Sequence, residues 1–323
     1  MKKYSYSVAI RTLGIAGDKF QQELDSILAQ TIQPEKVVVY IAEGYSIPKE
    51  TIGIEQYVYV KKGMMTQRAL PYNEIDSEYI LMLDDDALLP SDFVEKMFDA
   101  LYRYDGDCIS PNIYPNHQMS FVRKVTTAIG AFVFPRKNDG WAFKVGNSGT
   151  YTYNNNPKQD VLLTETAAGL CCLCKKSSFL NIKLEDECWI DKFGYPLGED
   201  QLLYNKLYVN GYKVLLHYNT AIIHNDGKTG HVKKSLDKVK KEGVINYIIW
   251  FRTCFSIRNN KLFCVISYFC KIFSMFCYKL IVGILKGDFF VSFTFIKGVY
   301  QGYKFCRGEE YRNINKFLLE NKL

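Results

Sequence analysis

The chain has 323 residues, of which 48% are apolar and 23% charged, so it is long enough for one large or two smaller packed domains and too apolar to be disordered. Its net charge of +7 is unevenly spread: residues 228–323 hold 18 Lys and Arg against 6 Asp and Glu, which leaves the first 227 residues acidic. An acidic body joined to a basic, aromatic end suits an anionic membrane surface at least as readily as a nucleic acid.

The first strand is expected over residues 5–13, within a few residues of Met1, with 14–17 as its closing turn. No secretory leader precedes it, so the ten cysteines are expected to be reduced thiols and the chain cytoplasmic. Cys171, Cys172 and Cys174 lack a second pair at zinc spacing and read as small core residues. Asp18 with Gln21 opens a helix whose apolar positions Phe20, Leu24, Ile27 and Leu28 keep helical spacing. Strands are expected at 37–41 and 58–61, the first followed by the polar loop Ala42-Glu43-Gly44-Tyr45. Strand, helix, strand implies parallel pairing with a right-handed crossover, which puts the loops after the strands on one side of the sheet.

Five mostly apolar residues from Tyr79 then run into Asp84, Asp85 and Asp86. Such a run reads as a buried strand, and its acids emerge where open α/β sheets bind ligands. Three adjacent carboxylates repel one another unless a cation or a ring of donors offsets them. A hard divalent ion, Mn²⁺ or Mg²⁺, is the simplest partner, carried by one or two carboxylates plus substrate phosphates. The same triplet also suits a solvated acidic turn, with Ser91 or Asp92 and Glu95 forming a capping box for the next helix. That helix is expected from Phe93, since Val94, Met97, Phe98 and Leu101 share a face. Residues 105–156 have no lasting periodicity and read as irregular strands with a mobile loop near 147–156. Gly198-Glu199-Asp200 opens a helix that Gly211 ends, and the strands that follow finish at His224.

Ile10-Arg11-Thr12 in the first strand, the strand ending in Asp84-Asp85-Asp86, the Gly198-Glu199-Asp200 helix start and the terminal His224 together resemble family 2 glycosyltransferases. These are inverting enzymes of the glycosyltransferase A fold, and the resemblance covers about residues 4–227. It implies an α/β fold with a mostly parallel central sheet flanked by helices, Rossmann-like. It also implies transfer of a sugar from a nucleotide-diphosphate sugar to a glycan or lipid-linked hydroxyl. By the same resemblance Asp86 holds Mn²⁺ or Mg²⁺, Asp84 and Asp85 lie by the nucleotide-sugar, and Thr12, Glu43 and Arg68 hold base and diphosphate. Asp200 takes the place of the general base with Glu199 beside it. His224 is either a third metal ligand or a satisfied strand-end imidazole. The loop Ala42-Glu43-Gly44-Tyr45 departs from the family's Asp-Asp-Gly-Ser, and Gln67-Arg68-Ala69 lacks the Asn that commonly follows its Arg. No P-loop and no Gly-x-Gly-x-x-Gly follows a strand, which argues against an ATPase or a dehydrogenase. The rival reading is a catalytically silent nucleotide-sugar or glycan binding module, which needs the metal acids but not the base.

Residues 1–227 are thus expected to form the nucleotide-sugar-binding catalytic domain, able to stand alone, and 228–323 a basic, aromatic helical tail for membrane association. Within it, residues 262–285 are mostly apolar and long enough to span a bilayer, but Lys271 and Lys279 interrupt them. Lys261, Lys271, Lys279 and Lys286 project within an arc of roughly 80°. An amphipathic helix lying in the membrane interface, with all four in water and headgroups, is expected ahead of a single span, with a core helix packed on the catalytic domain as a third reading for part of it. Residues 288–298, with four Phe, read equally as a second dipping segment or as core.

Overall fold

A computed structural model describes residues 4–113, 140–194, 197–225, 235–285 and 287–319; the basic stretch 228–234 and Lys286 lie outside the described residues. The centre is an eight-stranded sheet in the order β3-β2-β1-β4-β10-β6-β11-β9. In chain order the strands are β1 (Tyr6–Thr12), β2 (Val37–Ala42), β3 (Glu55–Val60), β4 (Tyr79–Asp84), β5 (Ala87–Leu88), β6 (Cys108–Pro111), β7 (Phe143–Val145), β8 (Tyr151–Tyr153), β9 (Val161–Leu163), β10 (Cys171–Lys175), β11 (Val214–His217) and β12 (Ile223–His224). The apolar runs of β1, β2 and β4 are buried along nearly their whole length because helices cover both faces. They pair in parallel, so the ends of β1 and β4 meet on one edge, with Arg11 in register with Asp84. β10 runs antiparallel between β4 and β6, which brings the segment just before it, Gly169 and Leu170, to that same edge. A separate ribbon of β12 with β5 returns the chain to the triplet, opposing His224 to Ala87.

One face of the sheet is covered by α1 (Asp18–Leu28) and α2 (Phe93–Tyr104), through Phe20, Leu24, Met97 and Phe98. Neither helix starts with the expected side-chain cap. Asp92 pairs with Lys96 at 2.8 Å, and Glu95 accepts from Thr31, so the acids of the would-be capping box are engaged elsewhere. After the short α3 (Lys176–Asn181) and a 3-10 helix (Leu184–Phe193), the other face is covered by α4 (Glu199–Val209) and α5 (Leu236–Trp250). Leu202, Leu203, Ile245 and Ile248 join Val38, Met82 and Cys172 in one core, and Cys306 and Phe317 from the chain's end belong to it too. Residues beyond 227 are therefore not a separate layer. The expectation that the first 227 residues stand alone conflicts with this shared core.

Two further features bind the end of the chain to the body. Glu187, fully buried, accepts from Lys206 (2.8 Å), Trp189 (2.9 Å) and both Nε and Nη2 of Arg252, the latter at 2.8 Å. Burial alone would push the Glu187 carboxyl up, but the bonds and charges of Arg252 and Lys206 outweigh it and hold it below the usual carboxylate range. The segment 147–156 is not a free loop: β7 and β8 make a hairpin, and its turn takes the tail's polar groups. Asn147 accepts from Trp250 Nε1 (2.9 Å) and from Arg258 (2.6 Å), while Ser148 O accepts from Lys271 (3.2 Å).

The remaining helices are α6 (Lys261–Leu285), α7 (Phe290–Arg307) and the single turn α8 (Glu309–Arg312). α5 and α7 approach backbone to backbone, since a Cβ at Gly298 would strike Lys240 O and one at Gly302 would strike Val244 O. α6 reverses the expected facing. Lys271 and Lys279 turn inward, Lys279 to Glu242 at 3.1 Å, and the apolar side turns out. Turned inward, both ammoniums find acceptors, Ser148 O for Lys271 and Glu242 for Lys279, so their burial leaves neither unpaired.

Candidate functional site

At the carboxyl edge of β1 and β4 lies an open cleft of about 730 Å³. Its walls include Arg11, Thr12, Lys62, Met64, Asp84, Asp85, Asp86, Asp191, Glu199 and His224. Parallel pairing of β1 with β4 brings Thr12 beside the triplet, and the Thr12 hydroxyl donates to Asp85 while accepting from Gly14 N at 2.7 Å. Asp84 is held by Arg11 Nε, whose guanidinium also reaches Met64 O at 3.1 Å. Asp86 faces His224, Nε2 lying 3.3 Å from its carboxylate, and Asn225 N donates to Asp86 O at 2.9 Å. The three acids thus have three different partners, which is how the fold holds them side by side.

Beneath the cleft floor lies Arg68, only 2% exposed. Its Nη2 donates to Gly169 O at 2.9 Å and sits 3.5 Å from Asp200 and 3.8 Å from Asp84. Gly169 is required here, because a Cβ would overlap the Asp200 carboxylate. Asp200 is the second residue of α4, with Glu199 ahead of it facing the cleft. Burial and the adjacent Glu199 charge push the Asp200 carboxyl well up, against the pull of Arg68. Burial likewise raises Asp84 to about 7, opposed by Arg68 and assisted by Asp86. A carboxyl held near neutrality beside an open cleft is suited to take up a proton.

Of the residues singled out from sequence, Thr12, Asp84, Asp85, Asp86, Glu199 and His224 converge on the cleft wall. Arg68 and Asp200 lie directly behind it. Glu43 does not join them: it is exposed at the end of β2 and outside the cleft lining. Three contributors were given no role from the sequence. Arg11 stood in the first-strand motif Ile10-Arg11-Thr12, but its pairing with Asp84 was not foreseen. Glu23 of α1 is a fourth acid, fully buried under the triplet and held well above the usual carboxylate range by burial and by Asp85.

The third is Asp191, which accepts from Met65 N (2.9 Å), Thr66 N (2.8 Å) and the Thr66 hydroxyl (2.7 Å). It clamps the turn that carries Gln67 and Arg68, and a Cβ at Gly63 would collide with it. Asp191→Ala is expected to cost about 1–3 kcal/mol, as donors in a half-buried turn lose their acceptor. Urea unfolding measures the loss, and faster amide exchange at Met65 and Thr66 localises it. Unchanged exchange there would show that the clamp does not hold the turn.

No protein-family model matches the sequence, and no curated protein matches it. Among solved structures, GalNAc-T7 with UDP, GalNAc and Mn²⁺ superposes with a TM-score of 0.52 at 12% identity, over 85% of this chain and 57% of that one. S. aureus TarS superposes with a TM-score of 0.49 at 12% identity, over 84% of this chain and 44% of that one. The chain therefore spans less than two thirds of either structure's length. The likeness to the first is one of fold, and the mixed α/β architecture agrees with the glycosyltransferase A fold expected from the sequence.

Proposed function

We propose that this chain is a glycosyltransferase that moves a sugar, with inversion, from a nucleotide-diphosphate sugar to a hydroxyl of a glycan or lipid-linked acceptor. The observation that carries the reading is the cleft itself. On this fold it places a partnered acid triplet on one wall and Glu199 at a helix start on the other, with the Asp200 carboxyl, pushed well up by burial and the Glu199 charge, directly behind it. A binding module has no use for the second wall.

Asp86 and His224 are the pair in the cleft with donor chemistry for Mn²⁺ or Mg²⁺, since the cationic partners Arg11 and Arg68 occupy Asp84. Among the described residues no group of three or more His, Cys, Asp or Glu is arranged as a metal cage. Two protein donors fit an ion that takes its remaining ligands from substrate phosphates, as Mg²⁺ habitually does. When bound, such an ion supplies positive charge against the departing diphosphate. The fold neighbour with UDP and Mn²⁺ is in keeping with this assignment.

The chain's own residues supply the rest. Thr12 and Arg11 fix Asp85 and Asp84 in the wall where the nucleotide enters, and Arg68 gives the floor a positive charge. As the acceptor oxygen bonds to the anomeric carbon, its proton passes to Asp200. The bond to the diphosphate oxygen breaks on the opposite face and the diphosphate leaves with the electron pair. Glu199 faces the cleft beside this base and orients the acceptor.

Asp86→Ala tests the metal wall. Titration calorimetry with a panel of nucleotide-sugars and Mn²⁺ is expected to show donor affinity at least about tenfold weaker than in the unaltered chain, and transfer abolished. Equal affinity and turnover in a folded variant would remove Asp86 from the site.

A further inference from the structure

We propose that the outward faces of α6 and α7 form a single docking surface for an anionic lipid bilayer, with α6 lying in the membrane plane and its lysines turned away from the lipid. The cleft chemistry is not a premise of this inference. α6 presents Leu262, Ile266, Phe269, Phe273 and Ile284 at helical spacing to solvent, with Leu262 71% and Phe269 69% exposed. α7 continues the surface with Phe290 and Phe293, 70% and 60% exposed. An apolar strip some 37 Å long, at 1.5 Å per residue, far exceeds the patches that soluble monomers leave uncovered.

Charge selects the occupant. Neither α6 nor α7 contains an acidic residue. Along the outer row of α7 the Phe pair gives way to exposed Lys297, Lys304 and Arg307, with Lys304 over the Tyr300 ring at 4.8 Å and Arg307 over Tyr303 at 4.4 Å. Apolar groups bordered by Lys297, Lys304, Arg307 and aromatic rings match acyl chains beneath anionic headgroups, the acids Asp288 and Glu309 flanking α7 in sequence rather than lying within it. A second copy of the chain would meet like charge. The inward lysines decide the orientation. α6 is long and apolar enough to cross a membrane. Crossing, however, would pull Lys271 from Ser148 O and Lys279 from Glu242 and leave both in hydrocarbon.

The test is flotation of the purified full chain with vesicles of phosphatidylglycerol and phosphatidylcholine in equal parts, against vesicles of phosphatidylcholine alone. Expected are flotation with the anionic vesicles, release by alkaline carbonate, and at least about tenfold weaker binding for the double variant Phe269→Glu/Phe273→Glu. Lys297→Glu/Lys304→Glu is expected to lose the preference for anionic lipid while keeping the same circular dichroism. Absence of flotation, or binding that neither variant weakens, overturns the proposal. Retention in carbonate overturns the in-plane orientation in favour of a span. A concentration-dependent dimer that the Phe variants dissociate, without vesicle binding, assigns the face to a second copy.

Discussion

A chain ending at Gly227 is expected to be unfolded or insoluble. Its loss strips Ile245, Ile248, Ile249 and Phe317 from the core shared with the sheet. At roughly 1.5–3 kcal/mol for each large apolar side chain fully buried, those four alone approach the typical total stability of about 5–15 kcal/mol. Truncation also removes Arg252 from buried Glu187. Breaking a buried ion pair from one side costs about 3–5 kcal/mol, because the remaining charge keeps its desolvation penalty. Expression of residues 1–227, followed by near-ultraviolet circular dichroism and limited proteolysis, measures the outcome. The full-length variant Arg252→Ala separates the ion pair from the apolar contribution and is expected to lower the urea midpoint markedly. A folded, nucleotide-binding fragment would mean that the shared core is dispensable.

Asp200→Asn is expected to leave donor binding near its original strength and to reduce transfer by about 10²–10⁴-fold, the usual worth of a positioned general base. The amide keeps the size of the carboxylate but has no basic oxygen for the acceptor proton. Donor binding by calorimetry and transfer under saturating donor give the two readouts. Glu199→Gln is the companion variant, since Glu199 faces the cleft while Asp200 lies against Gly169 and Arg68. If Glu199→Gln loses transfer and Asp200→Asn keeps it, the roles are exchanged. If both keep it, the second wall has no catalytic part.

How far the sequence could be read depended on whether its signals were local. The strands carrying Thr12 and Asp84 were legible because an unbroken apolar run ending in polar groups has few other uses. Their meeting on one edge followed from parallel crossover rules, whereas His224 came only with the family resemblance, because the ribbon that delivers it, β12 on β5, is two residues long and has no periodicity to detect. Arg68 was named, but not as a buried floor, since burial of a lone Arg is set by acids at Asp84 and Asp200, far away in sequence. Asp191 looked like one more acid in an acidic stretch; its partners are backbone amides, which every residue has. The inward lysines of α6 illustrate the same limit. Spacing gave their shared arc, but the direction of that arc was decided by Glu242 and by the carbonyl of Ser148.

Among the described residues, Arg68 is the cation shared between Asp84 and Asp200, at 3.8 Å and 3.5 Å. A single charge divided between two carboxylates makes them compete. Whatever draws Arg68 toward Asp84 weakens its hold on the Asp200 carboxylate and raises that group's affinity for a proton. By thermodynamic reciprocity, the factor by which an occupant beside Asp84 changes proton uptake at Asp200 is the factor by which that proton changes the occupant's affinity. On the proposed reading, occupation beside Asp84 changes the proton affinity of Asp200 without movement of the backbone.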